Sequence, residues 1–158
     1  MMMPHQTHAK GENVTTIYVD ADACPVKDEI ATIGIRHNRR VIMVCNGGIR
    51  PHPHELVELV IVPTGADEAD KWIAEAIGAG DILVTNDIPL AAKASEKQAL
   101  ILRADGSLIT EKNIGNILAT RDLMADVRAA DPFYQSKSKP FSRADKGRFK
   151  QQLDQLLR

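Results

Sequence analysis

Aromatic residues are scarce in this chain: one Trp, two Tyr and three Phe among 158 residues. Stacking platforms of the kind used for single-stranded nucleic acid therefore have little to draw on. Cysteine is scarcer still. Cys24 and Cys45 form no C-x-x-C pair, so no zinc site of that kind is expected and a reduced cytoplasm is the expected location. No apolar run approaches the roughly 18 residues that a membrane span needs, so no membrane association is expected. The opening stretch, MMMPHQTHAKGENV, lacks the apolar segment of a secretory signal. Residues 1–13 are read as a disordered tail and 14–158 as one domain, a length sufficient for a full core. The formal net charge of −1 gives no global attraction to polyanions.

That small net charge hides an asymmetry. From Met1 to Thr120, 11 Lys and Arg stand against 16 Asp and Glu. From Arg121 to Arg158 the count is 9 against 5. An acidic body with a basic C-terminal part is either a pair of solvated surfaces or a grip for an anionic substrate.

Five short apolar runs recur along the body: TTIYV, RRVIMVC, LVELVIV, DILVT and ALILR. They are mostly β-branched or otherwise apolar, which predicts strands covered on both faces. Helical patterns fall between them. Pro25 suits a first helical turn for a helix from Val26 to about Ile35. Asp67 precedes an amphipathic segment with Trp72, Ile73, Ala76 and Ile77 on one face. A further helix is predicted over 90–97. ADGSL reads as a turn. A helix then starts near Thr110, with Ile114, Ile117, Leu118, Leu123 and Met124 as its apolar stripe. DPFYQSKSKP (131–140) is a polar connection. Ser142 with Asp145 marks the start of a last helix that would bury Phe149, Leu153 and Leu156. The alternation predicts an α/β fold: three layers, α/β/α, around a mainly parallel sheet of about five strands, followed by C-terminal helices.

In open parallel sheets, function gathers beyond the carboxyl ends of the strands. "VDADACP" puts Asp20 and Asp22 at the end of the first strand, and "TNDIPLA" puts Asp87 at the end of the fourth. "GADEADKWI" starts its helix where the third strand has finished, so Asp67 and Asp70 lie on the same rim. Like charges that close repel and need solvent, a partner or a cation. Each acid also has an ordinary explanation as a helix cap or first-turn acid. A cluster of hard oxygen ligands without His or Cys suits Mg²⁺ or Mn²⁺, and through them phosphodiester hydrolysis.

Several of these strings occur together and in order. "VDADACP", "GADEADKWI", "TNDIPLAAKA", "TEKNIGNILATRDLM" and "FSRADKGRFKQQLDQLL" resemble the YaiI/YqxD proteins, a bacterial family whose fold is considered PIN-like. The resemblance spans Ile17 to Leu157. It brings no activity with it, and fold alone does not give function. The kinship with PIN nucleases implies that Asp20, Asp70 (a better fit to the spacing than Asp67) and Asp87 are the metal-binding acids. Asp22 has no firm counterpart among those nucleases but belongs to the family's own pattern. The family's late linker is usually rich in glycine; here it is DPFYQSKSKP.

The expected activity is therefore a Mg²⁺- or Mn²⁺-dependent nuclease, with RNA preferred to DNA as the partner. Asp20, Asp22, Asp70 and Asp87 are its candidate catalytic residues, and Asp20, Asp67, Asp70 and Asp87 its candidate metal ligands. Arg50, in the glycine-containing loop "NGGIRPHPHE", is a candidate substrate contact, as are Thr85, Asn86, Arg121 and Arg143. Two other readings stand beside this one. A haloacid-dehalogenase-like phosphatase would use Asp20 as nucleophile and Asp22 as acid/base. A non-catalytic domain would bind metal or RNA without cutting it. Cys24 lies ahead of a helix start, where a thiolate would be stabilised, but no base is evident nearby. Cys45 reads as core.

Overall fold

The computed structural model describes residues 15–65, 67–110, 112–119 and 141–158. The expected tail, the 131–140 connection, Leu123, Met124, Arg121 and Arg128 lie outside the described residues. Five apolar runs become five parallel strands: β1 (Ile17–Asp20), β2 (Val41–Cys45), β3 (Val57–Ile61), β4 (Ile82–Val84) and β5 (Leu100–Leu102). A sixth, β6 (Leu108–Ile109), returns antiparallel to β5. The spatial order is β3-β2-β1-β4-β5-β6.

The helices are α1 (Lys27–Arg36), α2 (Glu68–Ala76), α3 (Ile88–Glu96), α4 (112–119) and α5 (Arg143–Leu156). The helix expected from Val26 begins one residue later. Pro25 falls in the turn before it, after a single 3₁₀ turn over Ala21–Ala23. The helix expected from Leu90 begins at Ile88, because Asp87 caps it by accepting from the Leu90 amide at 3.1 Å. Ser142 and Asp145 form a reciprocal capping box at the start of α5.

Strand alternation assigns the two faces. Ile17, Val19, Val41, Met43 and Val84 point to one side and pack with α1 and α5 through Ile30, Ile33, Phe149 and Leu153. Tyr18, Ile42, Val44 and Leu83 point to the other and pack with α2, α3 and α4 through Ile73, Leu90 and Ile114. The result is a three-layer α/β/α sandwich, consistent with a PIN-like fold. Each fully buried aliphatic side chain stabilises it by about 1.5–3 kcal/mol. The sheet is not covered evenly: β3 is an edge strand, and Ile61 at its end is exposed.

Two glycines mark close approaches. A Cβ on Gly34 of α1 would lie 2.5 Å from Val41 Cγ2, so the helix sits tightly on β2. A Cβ on Gly106, in the β5–β6 turn at φ +93°, would lie 2.8 Å from the backbone of Arg148. α5 is therefore set against that turn.

α5 runs alongside α1 in the same direction. Lys146 pairs with Glu29 near both starts at 3.5 Å, and Asp154 with Arg36 near both ends at 2.7 Å. α1 begins where β1 finishes, so the start of α5, with Arg143, lies toward the carboxyl rim of the sheet.

Candidate metal centre

The sheet order reverses between β1 and β4: β2 and β3 extend one way from β1, β5 the other. Such a reversal opens a crevice at the carboxyl ends of the two strands. Asp20 ends β1, and Thr85, Asn86 and Asp87 follow β4. They line a hollow of about 260 Å³ together with Cys24, Pro25 and Ala104.

Register explains which acids meet at this rim. Asp20 shares strand parity with Tyr18 and lies on the α2–α3 side of the sheet. α2 brings Asp70 to the same side from its first turn, and Asp87 stands at the N-cap of α3. One carboxylate oxygen from each of Asp20, Asp70 and Asp87 lies within 4.8 Å of the other two. All three side chains are half-buried. A Mg²⁺-sized ion bonds oxygen at about 2.1 Å, which sets opposite ligands about 4.2 Å apart. The three oxygens lie close enough together for such an ion to be shared.

The other two rim acids do not join this group. Asp22 belongs to the 3₁₀ turn, and its carboxylate accepts from the Asn46 amide at 3.0 and 3.2 Å. It anchors the loop after β2. Asp67 occupies the N-cap position of α2 in a left-handed conformation, φ +69°, without a capping hydrogen bond from its side chain. It acts on the cluster through charge.

The cluster's electrostatics are strained. Burial, and then the charges of Asp87, Asp20 and Asp67, push the Asp70 carboxyl up to about 6, with Lys93 working the other way. Burial also raises Asp20, against the hydrogen bond from Thr85, with Asp87 and Asp22 adding to the rise. Thr85 is buried, and its hydroxyl donates to Asp20 Oδ2 at 2.9 Å while accepting from the Asp87 amide at 3.0 Å. One threonine thus fixes two of the three acids. Asn86 Oδ1 accepts from the Ala104 amide at 3.1 Å, tying the end of β4 to the residue after β5 and Arg103.

The donor set fits a hard divalent ion. Carboxylates alone form the triad, with no His ligand among the described residues. Cys24 lines the same hollow, but burial pushes its thiol up, so it offers no thiolate at neutral pH. Cys24 is a small buried residue, and α1 starts three residues beyond it, so the helix start does not stabilise a thiolate there. Lys93 was missed in the sequence. Its place beside Asp70 depends on α2 packing against α3, which no local spacing reveals.

With this geometry in place, the relatives can be compared. A profile of the family described as "Uncharacterized BCR, YaiI/YqxD family" matches residues 18–158. The chain belongs to the YaiI/YqxD family. A UPF0178 protein of Cereibacter sphaeroides is 57% identical over 142 residues, covering 90% of this chain and 88% of the relative. One of Roseobacter denitrificans is 54% identical over 145 residues, covering 92% and 96%. One of Parvibaculum lavamentivorans is 49% identical over 146 residues, covering 91% and 94%. No solved structure gives a significant match to this YaiI/YqxD chain. Among its described residues no helix is long and apolar enough to cross a membrane.

Proposed function

We propose that this YaiI/YqxD protein is a divalent-metal-dependent nuclease. The observation that carries the reading is the triad of Asp20, Asp70 and Asp87, three half-buried carboxylates gathered from β1, α2 and the β4–α3 turn with two of them pushed above their ordinary range. Such a group is costly when empty and is relieved by a cation.

Asp20, Asp70 and Asp87 would hold Mg²⁺ or Mn²⁺. A bound ion of this kind supplies polarisation of a phosphoryl oxygen and an acidic bound water. The chain's own residues do the remainder. Thr85 holds Asp20 in one orientation, and the N-cap bond to Leu90 holds one oxygen of Asp87. Asp70 is the proton-sensitive member: below about 6 it is protonated and a poorer ligand. Lys93 offsets part of the negative charge that would otherwise repel a phosphodiester. Arg143, toward the rim on α5, would meet backbone phosphates without reading sequence.

The test is a calorimetric titration of Mn²⁺ and Mg²⁺ into the wild type and into the double variant Asp20→Asn, Asp87→Asn. Cleavage of single-stranded RNA and DNA is then followed from pH 6 to 9. Binding and cleavage in the wild type, both lost in the double variant, are expected, with RNA the better substrate. No cleavage of either strand with either ion overturns the reading. Ion binding without cleavage would leave a non-catalytic domain that holds a metal.

A further inference from the structure

A second hollow, of about 240 Å³, lies between α1 and the loop that follows β2. Ala31, Met43 and Ile49 make its floor, and Pro51 and Pro53 its wall. Lys27 and Arg50 also line it. The partition between this hollow and the one lined by Asp20 and Asp87 is the short segment from Cys24 to Lys27. Cys24 and Pro25 line the triad's side and Lys27 the other. The two sites are therefore neighbours along one rim.

The loop is held in place. The Asp22 carboxylate accepts from the Asn46 amide at its start, and His54 Nδ1 accepts from the Leu56 amide at 3.0 Å near its end. Between these anchors Gly47 and Gly48 take φ of +122° and +81°, where a side chain would be strained.

The charges of the two hollows are complementary. Asp20 and Asp87 give the first only negative charge, whereas Lys27 and Arg50 outnumber Asp28 in the second. Lys27 Nζ donates one hydrogen bond, to the Cys24 carbonyl at 3.2 Å, leaving two donors. Arg50 is exposed and makes no hydrogen bond or ion pair among the described residues.

We propose that this second hollow seats one nucleoside phosphate unit of a single strand. The base lies against the surface of Met43, Ile49 and Pro51, and the phosphate is held by Arg50 and Lys27. The inference rests on the phosphodiester reading of the triad. An apolar floor beside a guanidinium suits a base joined to a phosphate, since the planar fork takes two phosphate oxygens at once. An uncharged apolar ligand would leave Arg50 unused, and a free phosphate would leave the floor uncovered. A strand also needs a hold away from the acids, which repel it until a cation is bound. Asp22 then acts as a positioning residue for the loop that carries Arg50.

The test is fluorescence anisotropy of labelled hexauridylate and hexathymidylate with the full chain in EDTA. The wild type, Arg50→Glu and Lys150→Glu are compared. Lys150 is exposed on α5 and lines a different hollow, between α5 and α1, so it controls for the change of charge. Arg50→Glu is expected to weaken binding by about tenfold or more, the loss of a charged hydrogen-bonding partner, and to lower the salt dependence. Lys150→Glu is expected to leave affinity within about twofold. A preference for either oligonucleotide identifies the strand and supports the proposal equally. No binding by the wild type, unchanged affinity in Arg50→Glu, or equal losses in both variants overturns it. Cleavage by the wild type with Arg50-independent binding overturns this inference alone. Arg50-dependent binding without metal-dependent cleavage overturns the nuclease reading and leaves the hollow as a strand-binding site.

Discussion

Asp70 and Asp154 carry the same side chain into opposite surroundings. Asp70 stands among Asp87, Asp20 and Asp67 at the carboxyl rim. Asp154, near the end of α5, receives His37 and Arg36 at 2.7 Å on one oxygen and Arg158 at 2.7 Å on the other. The company pushes Asp70 up to about 6 and holds Asp154 well below the usual carboxylate range, through the bond from His37 first and then those from Arg36 and Arg158. One aspartate fastens a helix to its neighbour. The other is crowded by like charge, which costs the fold rather than fastening it.

The largest effect should come from removing what α5 contributes to the core. Phe149 is fully buried against the α1 face of the sheet, and Phe149→Ala should lower stability by about 3–5 kcal/mol in denaturant unfolding. A smaller loss would mean that the ion pairs, rather than the aromatic ring, seat the helix.

Asp154→Ala comes next. A depressed carboxyl stabilises the fold above its unfolded value near 4 and loses that contribution as pH falls further. Thermal unfolding at pH 7 should therefore show a lower Tm than the wild type, and the gap should narrow as the pH is taken down through the acid range. A gap that persists unchanged at low pH would assign the effect to packing.

Asp70→Asn should move stability the other way. A raised carboxyl costs stability as pH rises from about 4 to about 6 and the full cost remains above that. In EDTA at pH 7.5 the variant should melt above the wild type, and the two should converge as pH falls to about 4. Added Mn²⁺ should raise the Tm of the wild type and not that of the variant. A lower Tm for Asp70→Asn in EDTA would remove the contrast with Asp154.

The smallest expected change sharpens the triad itself. Thr85→Val keeps the shape and removes two hydrogen bonds, the one to Asp20 and the one from the Asp87 amide, each worth about 1 kcal/mol. Mn²⁺ affinity should fall by less than about tenfold while the fold is kept. A loss as large as that of Asp20→Asn would make Thr85 more than a support.

The same contrast separates what could be read from the sequence. The five parallel strands were legible because each is a short run of β-branched or apolar residues, and the three layers followed from their alternation with helices. β6 was not: two residues, Leu108 and Ile109, follow a turn signal and pair only because β5 is already in place. The acids of the rim were legible as residue types at strand ends. Spacing alone did not sort them, but the family resemblance set Asp20, Asp70 and Asp87 apart, and those three come together. Within Asp-Ala-Asp, β1 ends at Asp20 and a 3₁₀ turn follows, which sends Asp20 to the triad and Asp22 to Asn46, 24 residues away. Cys24 lost its thiolate for the same reason, since burial by distant segments pushes its thiol up. Two of the three partners of Asp154 left no local signal, since Arg36 and His37 come from α1 and the residue after it.

The contact at Gly106 bears on the order in which the molecule is made. The β5–β6 turn leaves room for the backbone of Arg148 and Phe149 only because it carries no Cβ there. α5 is the last of these elements to leave the ribosome, yet Phe149 and Leu153 fill the core beside Ile17, Val19 and Leu102. During synthesis the part of that face not covered by α1 must wait bare until α5 arrives. Loss of α5 would therefore strip a hydrophobic face as well as shorten the chain, and a nascent chain stalled before it would be a target for chaperones.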